Sequence, residues 1–436
     1  MSAASPTARR VAYRNARLLD PSSGLDAKGG LLTVNGTIAD LGPHIFAAGT
    51  PDDAEVVDCK GLCLAPGLID LRASLGEPGA EHKETIATGT RSAAAGGVTS
   101  VVVTPDTRPV LDDIALVEFI ERQGKATGVV HVYPSAAVTR SLEGKEMTEL
   151  GMLAEAGAVA FTDGFKSITN AMVMRRALSY ATAFGLLISH HTESPDLVGT
   201  GVMNQGELAT RLGLSGILNE SEVIMLERDI RLVLATGARY HAASISTADS
   251  VDVIRAAKAQ GLPVTCGVSP CHFALNENEV GDYRTFAKVS PPLRSEDDRR
   301  AIVAGLRDGT IDVICSNHKP QDQDSKRRPF AQAAFGAVGL ETLLPIGLEL
   351  VHKGELTMIE MLRRLTSAPA QLYRLPGGRL AKGAPADLVL FDPGMPWRID
   401  ADAFLSKSKN SPFDRRPVQG RALRTVVEGE TVHLFG

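Results

Sequence analysis

Three histidine-bearing segments carry the residue types that hydrolytic metal chemistry uses: His190-His191-Thr192-Glu193, Ser269-Pro270-Cys271-His272 and Ser316-Asn317-His318. Each follows an apolar run. Other apolar runs end in Asp70-Leu71-Arg72-Ala73-Ser74, Thr104-Pro105-Asp106-Thr107 and Thr162-Asp163-Gly164, and one carries His241 and Ser244. A catalytic zinc needs about three protein ligands and one open position. By residue type the candidate ligands are His191, His272, His318, Asp163 and Cys271. A single histidine serves equally well as a hydrogen-bonded rim residue, so the chemistry depends on which side chains the fold brings together. His190 reads as structural beside His191.

The elements that must do this are legible as eight apolar runs, at 67–73, 98–103, 129–133, 158–162, 186–190, 239–244, 263–268 and 311–315. Helical patterns lie between them, at 83–95, 172–183, 221–235, 250–259 and 296–306, with another at 358–365. Ser295-Glu296-Asp297-Asp298 reads as a helix start, and Gly261 as a helix stop. Repeated β-α units predict a (β/α)8 barrel, whose chemistry sits at the C-terminal ends of its strands. A doubly wound sheet is the alternative, but no GxGxxG or Walker A motif is present. Short strands at 11–19, 31–34, 37–39 and 56–58, and again at 386–391, 398–399 and 423–427, predict a composite β-sandwich domain built from both chain ends. The expected division is 1–65 and 371–436 for that domain and 66–370 for the barrel.

Composition narrows the function. The chain has 436 residues, 44% of them hydrophobic, and a net charge of −5. That is ample for a large core, and the acidic balance argues against nucleic acid as a partner. No run of ~20 apolar residues predicts a membrane span. Residues 1–10 lack the apolar stretch of a secretory signal. Five cysteines without zinc-ribbon spacing predict a reduced, cytoplasmic setting. Cys266 and Cys315 lie within apolar runs and are expected to be buried. The charged segments 322–328 and 407–410 read as solvated, mobile loops, the first of them a possible partner contact.

Several motifs carry a family resemblance. Ala65-Pro66-Gly67-Leu68-Ile69-Asp70, Glu77-Pro78-Gly79 and Glu81-His82-Lys83-Glu84-Thr85 resemble the opening of dihydroorotases. Val289-Ser290-Pro291-Pro292-Leu293-Arg294, Phe335-Gly336-Ala337-Val338-Gly339-Leu340-Glu341-Thr342, Ala386-Asp387-Leu388-Val389-Leu390-Phe391-Asp392 and Ser408-Lys409-Asn410-Ser411-Pro412-Phe413 continue the likeness over nearly the whole chain. The resemblance implies the amidohydrolase barrel with its composite β-domain.

The resemblance also implies a chemistry that this sequence has lost. The two zinc-binding histidines of the family's Asp-x-His-x-His fall on Arg72 and Ser74, and its substrate-binding arginine on Gly76. The asparagine of Pro-Asn-Thr falls on Asp106, the sixth-strand histidine on Ser244, and the asparagine before Pro-Pro-Leu-Arg on Ser290. The eighth-strand aspartate, ligand and proton shuttle in the family, is Asn317. Only Asp163 and His191 remain as residual metal candidates, and Cys271 replaces a further family histidine. Serine and amide oxygens are poor zinc ligands. Arg72 places a fixed positive charge where the dication would sit. At ~4 Å and an effective dielectric of about 20, this opposes each unit of metal charge by about 4 kcal/mol. Pairing of Arg72 with Asp163 or Asp106 would fill the site.

The expected function is therefore a catalytically inactive dihydroorotase homologue with no catalytic residues and no cofactor. The chain resembles the dihydroorotase-like noncatalytic chains of bacterial aspartate carbamoyltransferase. This resemblance implies assembly with the catalytic transcarbamoylase chain as a hetero-oligomer in pyrimidine biosynthesis. One alternative is an active metal-dependent dihydroorotase or related cyclic amidohydrolase, with a mononuclear zinc held by His191, Asp163 and either His272 or His318. Another is a structural protein that assembles only with itself.

Overall fold

The structure is a computed structural model and describes residues 9–436. Residues 1–8, most of the stretch read above for a secretory signal, lie outside the described residues. The head of the chain forms β1 (Arg10–Asp20), β2 (Leu25–Val34), β3 (Thr37–Gly42), β4 (Glu55–Asp58) and β5 (Cys63–Pro66). Strands β1, β2 and β3 form an antiparallel meander, while β4 and β5 pair parallel to β1. Asn35 and Gly36 turn β2 into β3 with both residues at positive φ, the geometry for which this dipeptide is suited.

The eight apolar runs become eight parallel strands. They are β6 (Leu68–Ala73), β7 (Val98–Val103), β8 (His131–Ala136), β9 (Ala160–Phe161), β10 (Leu187–His190), then, after a two-stranded insertion of β11 (Met203–Asn204) and β12 (Gly216–Ile217), β13 (Arg239–Ala242), β14 (Val264–Val268) and β15 (Val313–Ile314). The ring closes through a parallel bridge between Ala73 and His318, with Ser74 N–H donating to the His318 carbonyl at 2.8 Å. Every residue of β6 and β7 is buried. This is why these strands read as continuous apolar runs rather than alternating ones. Ile69, Leu71, Val102, Ala160, Leu187 and Val313 fill the axis together with Tyr373 and Leu375. The expected caps form: the Ser295 side chain accepts from Asp298 N–H at the start of Glu296–Arg307, and Gly261 follows Ala248–Ala259 with φ +75°.

The tail adds β16 (Leu388–Arg398), β17 (Pro417–Val427) and β18 (Glu430–Leu434). Strand β16 runs antiparallel to β5, with Leu388 opposite Pro66, so head and tail share one eight-stranded sheet. Strand β5 was not legible as a separate element because only Gly67 divides it from β6. Val389, Phe391 and Ala422 from this sheet pack into the core shared with the barrel helices.

Two expectations fail in part. The segment 322–328 is solvated only in part: Gln323, Asp324, Arg327 and Arg328 are exposed, but Gln323–Lys326 is helical and the Lys326 ammonium is buried against the carbonyls of Thr285, Lys288 and Ala334. Ser408 and Asn410 are likewise buried, and Asn410 bonds Gln321 N–H and the Gly336 carbonyl. In both cases a polar side chain supplies as many bonds as the local backbone leaves open, which makes burial affordable. All five cysteines are buried, free thiols, Cys266 and Cys315 among them. Among the described residues no helix is long and apolar enough to cross a membrane.

Candidate functional site at the barrel mouth

The mouth gathers the strand-end residues but not a ligand set. Arg72, near the end of β6, is 4% exposed. Its Nη2 donates to the Gly164 carbonyl at 3.0 Å, and its guanidinium carbon lies 4.3 Å from the centre of the Phe165 ring. Gly164 has a φ of +66°, which favours glycine there. Lys319 Nζ lies 3.6 Å from the same ring centre. The mouth therefore holds two cations around one aromatic ring, the electrostatic reverse of a site built for metal. Burial pushes the Lys319 ammonium down to about 8.

The pairing of Arg72 with Asp163 or Asp106 does not occur. Asp163 Oδ1 accepts from Val138 and Thr139 N–H at 2.9 Å each, and its Oδ2 accepts from the Thr139 hydroxyl. Its carboxylate is thereby spent on the loop after β8. Burial still raises its pKa, so its neutral form is favoured relative to an exposed aspartate. Asp106 accepts from the Ser74 and Thr104 hydroxyls. Ser74 thus orders an acid instead of joining a metal shell.

His191 does meet an acid, Glu193, which the strand-end spacing contained but which was not singled out. His191 Nε2 lies 2.8 Å from Glu193 Oε2, and the Ser290 hydroxyl donates to the same carboxylate at 2.7 Å. The Glu193 carboxylate is held down to about 2 against its own burial, by His191 and by the Ser290 hydroxyl. Burial lowers the His191 pKa, which favours the neutral ring at neutral pH. The signal for Glu193 was an acid two residues beyond a strand-end histidine. Phe165 and Lys319 had no such signal.

The remaining candidates sit apart from this pair. His272 bonds Ser269 Oγ and the Pro291 carbonyl through its two ring nitrogens. His318 Nδ1 accepts from Gly339 N–H, and its Nε2 lies 3.5 Å from buried Glu84. His190 is fully used by Asp229 and Ile168 N–H. Burial pushes the Cys271 thiol up to about 12, so no thiolate is available. Asn317 donates to the Ser290 carbonyl, and the Ser244 hydroxyl is buried with no partner among the described residues. Gly76 has φ +70°, and a Cβ on it would lie 2.4 Å from the Glu84 carbonyl oxygen. The backbone at Gly76 thus has no room for a side chain. A cavity of about 330 Å³ remains outside, lined by Ser74, Lys83, Asp106, Arg108 and Lys319.

The zinc that the family implies does not fit these residues. Among the described residues no group of three His, Cys, Asp or Glu side chains converges as a metal shell. His191 and Glu193 are two donors at most, and Arg72 brings a buried cation with Nε and Nη1 unpaired.

The retained motifs have structural work instead. Glu84 accepts from the Ser406 hydroxyl and Lys407 N–H, Glu341 from Ser92 and the backbone at Leu405 and Ser406, and Asp387 from Glu428 N–H. Arg294 bonds Ser246, Asn204 and the Ile217 carbonyl. These struts tie the barrel loops to one another and to the tail of the chain.

Comparison with known proteins places this architecture. The chain is 47% identical over 425 residues to a dihydroorotase of Wolbachia sp. subsp. Drosophila simulans (strain wRi), covering 97% of this chain and 96% of that one. The chain belongs to the dihydroorotase family. It is also 48% identical to the dihydroorotase of Anaplasma phagocytophilum (strain HZ), over 97% of this chain and 95% of that one, and 43% identical to that of Pelobacter propionicus (strain DSM 2379 / NBRC 103807 / OttBd1), over 96% and 98%. A dihydro-orotase-like family model matches residues 61–250, and an amidohydrolase family model residues 226–433. Among solved structures, the L-hydantoinase (dihydropyrimidinase) of Arthrobacter aurescens superposes with a TM-score of 0.87 at 24% identity, over 98% of this chain and 96% of that one. That likeness establishes the shared fold.

Proposed function

We propose that this member of the dihydroorotase family is a catalytically silent barrel that works as an assembly chain. The observation that carries the reading is Arg72, a buried cation at a position the family uses for a metal ligand. Ser74, Ser244 and Asn317 remove three more donors. Asp163 is committed to Thr139. Asn317 cannot accept and return a proton as the family's aspartate does. Ring opening would then lack its Lewis acid, its activated water, its base and its arginine clamp together.

The proposed partner is the catalytic chain of aspartate carbamoyltransferase, and this element rests on the motif resemblance alone. The test is a dihydroorotase assay in both directions on the purified chain with added zinc, followed by co-purification with a transcarbamoylase chain. Turnover no greater than that of an Arg72→Ala/Asn317→Ala control, with a stable mixed complex, supports the reading.

A second reading, a working metal-dependent dihydroorotase or related cyclic amidohydrolase, is favoured by relatives at 43–48% identity that carry the name dihydroorotase. In this structure its metal would have to rest on His191 and Glu193. Stoichiometric zinc, with turnover abolished by His191→Ala, would establish it and overturn the first.

A further inference from the structure

Two neighbouring helices on the outside of the barrel, α1 (Ala171–Phe184) and α2 (Glu220–Thr236), lie side by side, with the Thr182 hydroxyl donating to the Thr236 carbonyl at 3.4 Å. Ten large hydrophobic side chains are exposed among the described residues, and four of them belong to this pair: Met172, Phe184, Ile224 and Leu234. One such side chain is ordinary on a surface, whereas a concentration on adjoining helices marks a contact face.

We propose that this face is an interface between two copies of the chain, centred on α2 packed antiparallel against α2 of the second copy. The inner face of α2 is already filled, since Met225, Leu226, Asp229 and Val233 are buried. Its outer face carries Ile224, Glu227, Arg231 and Leu234, all exposed, at spacings of 3, 4 and 3 residues that align them in one stripe. The stripe reads apolar, acid, base, apolar, and it is symmetric about the level of Asp229. A twofold axis at that level sets Ile224 against Leu234 of the second copy and Glu227 against Arg231 of the second copy, each pair occurring twice. An isologous contact demands such self-complementarity. A foreign partner needs only one half of the complement, and this stripe carries both.

The charges are free to meet a second copy. Glu227 and Arg231 are four residues apart, yet they do not approach within 4 Å, and neither has another ionic partner among the described residues. On the helix Ala248–Ala259, by contrast, Arg255 is paired with Asp252 and Asp308. Helix α1 cannot be the centre of the contact. It exposes Arg175 and Arg176 and has no acid, so two copies of it repel.

This inference does not rest on the silent-barrel reading, since pairing through the outer helices leaves the barrel mouth untouched. The test is sedimentation of the full chain. At about 50 µM the parent is expected to run at twice the chain mass, and Leu234→Arg as a monomer with an unchanged circular dichroism spectrum. Glu227→Arg and Arg231→Glu each place like charges opposite one another, so each alone is expected to weaken the dimer at least about tenfold. Mixed in equal amounts, these two variants are expected to recover the dimer, because each then meets its complement on the other chain. The charge variants keep the test decisive if Leu234→Arg fails to fold. A monomeric parent, a dimer indifferent to Leu234→Arg, or a mixture that stays dissociated overturns the proposal. So does a transcarbamoylase chain that binds this stripe while the chain does not associate with itself.

Discussion

Replacing Asp163 distinguishes a structural acceptor from a residual metal ligand. Its carboxylate accepts two backbone N–H groups and one hydroxyl, all in a buried setting. Asp163→Ala strands both N–H groups; at about 1–3 kcal/mol for each buried unsatisfied donor, the loss is about 4 kcal/mol, with the Thr139 hydroxyl free to rotate away. Asp163→Asn keeps one oxygen for the two N–H groups and points its amide at Thr139 Oγ1. That oxygen already accepts from Gly144 N–H and has a second lone pair to offer. Burial raises the Asp163 pKa, so the neutral amide forgoes the desolvation penalty that the carboxylate carries. The expected cost of Asp163→Asn is therefore below about 1 kcal/mol. Urea unfolding of the three proteins at pH 7 measures both values, and elemental analysis measures their zinc. Equal losses for Ala and Asn would refute the acceptor account. Stoichiometric zinc in the parent that Asp163→Asn removes would refute the reasoning altogether.

Glu341 and Asp70 should shape the pH dependence of stability, since burial raises their pKa values to about 7 and about 6 from 4.5 and 3.8. The folded state then binds more protons than the unfolded one across that window, so stability falls as pH rises from about 4 to 7. Urea unfolding at pH 5 and 7 should show a smaller difference in Glu341→Gln than in the parent. Restoring ligands by Arg72→His, Ser74→His, Ser244→His and Asn317→Asp together should raise zinc content towards one per chain, whereas Ser74→His alone, with Arg72 retained, should leave it near zero by elemental analysis. Lys326→Met should cost about 3 kcal/mol in urea unfolding, because it strands the carbonyls of Thr285, Lys288 and Ala334.

The barrel was legible because most of its strands are buried on both faces, which forces local apolar runs such as Val98–Val103, and several helix starts leave a capping signature such as Ser295. The residue types at the strand ends were legible as well, one by one. Side-chain direction was not. Nothing local to Asp163 says that it turns to Thr139 rather than to Arg72, since both partners lie far away in sequence. The segment 322–328 misleads in part for the same reason: its charge reads as solvation until the distant carbonyls of Thr285 and Lys288, with that of Ala334, enclose Lys326.

From sequence alone came the chain of elements, the family's scaffold motifs and the chemical identity of the residues at the strand ends. Periodicity and caps are written within a few residues of one another, and identities can be read directly. Tertiary structure alone decided that Arg72 is buried with no counter-ion among the described residues, that His191 pairs with Glu193 and Ser290, and that Ala73 meets His318 to close the ring. These are through-space choices among partners up to 245 residues apart, settled by burial and hydrogen-bond supply once the barrel has formed.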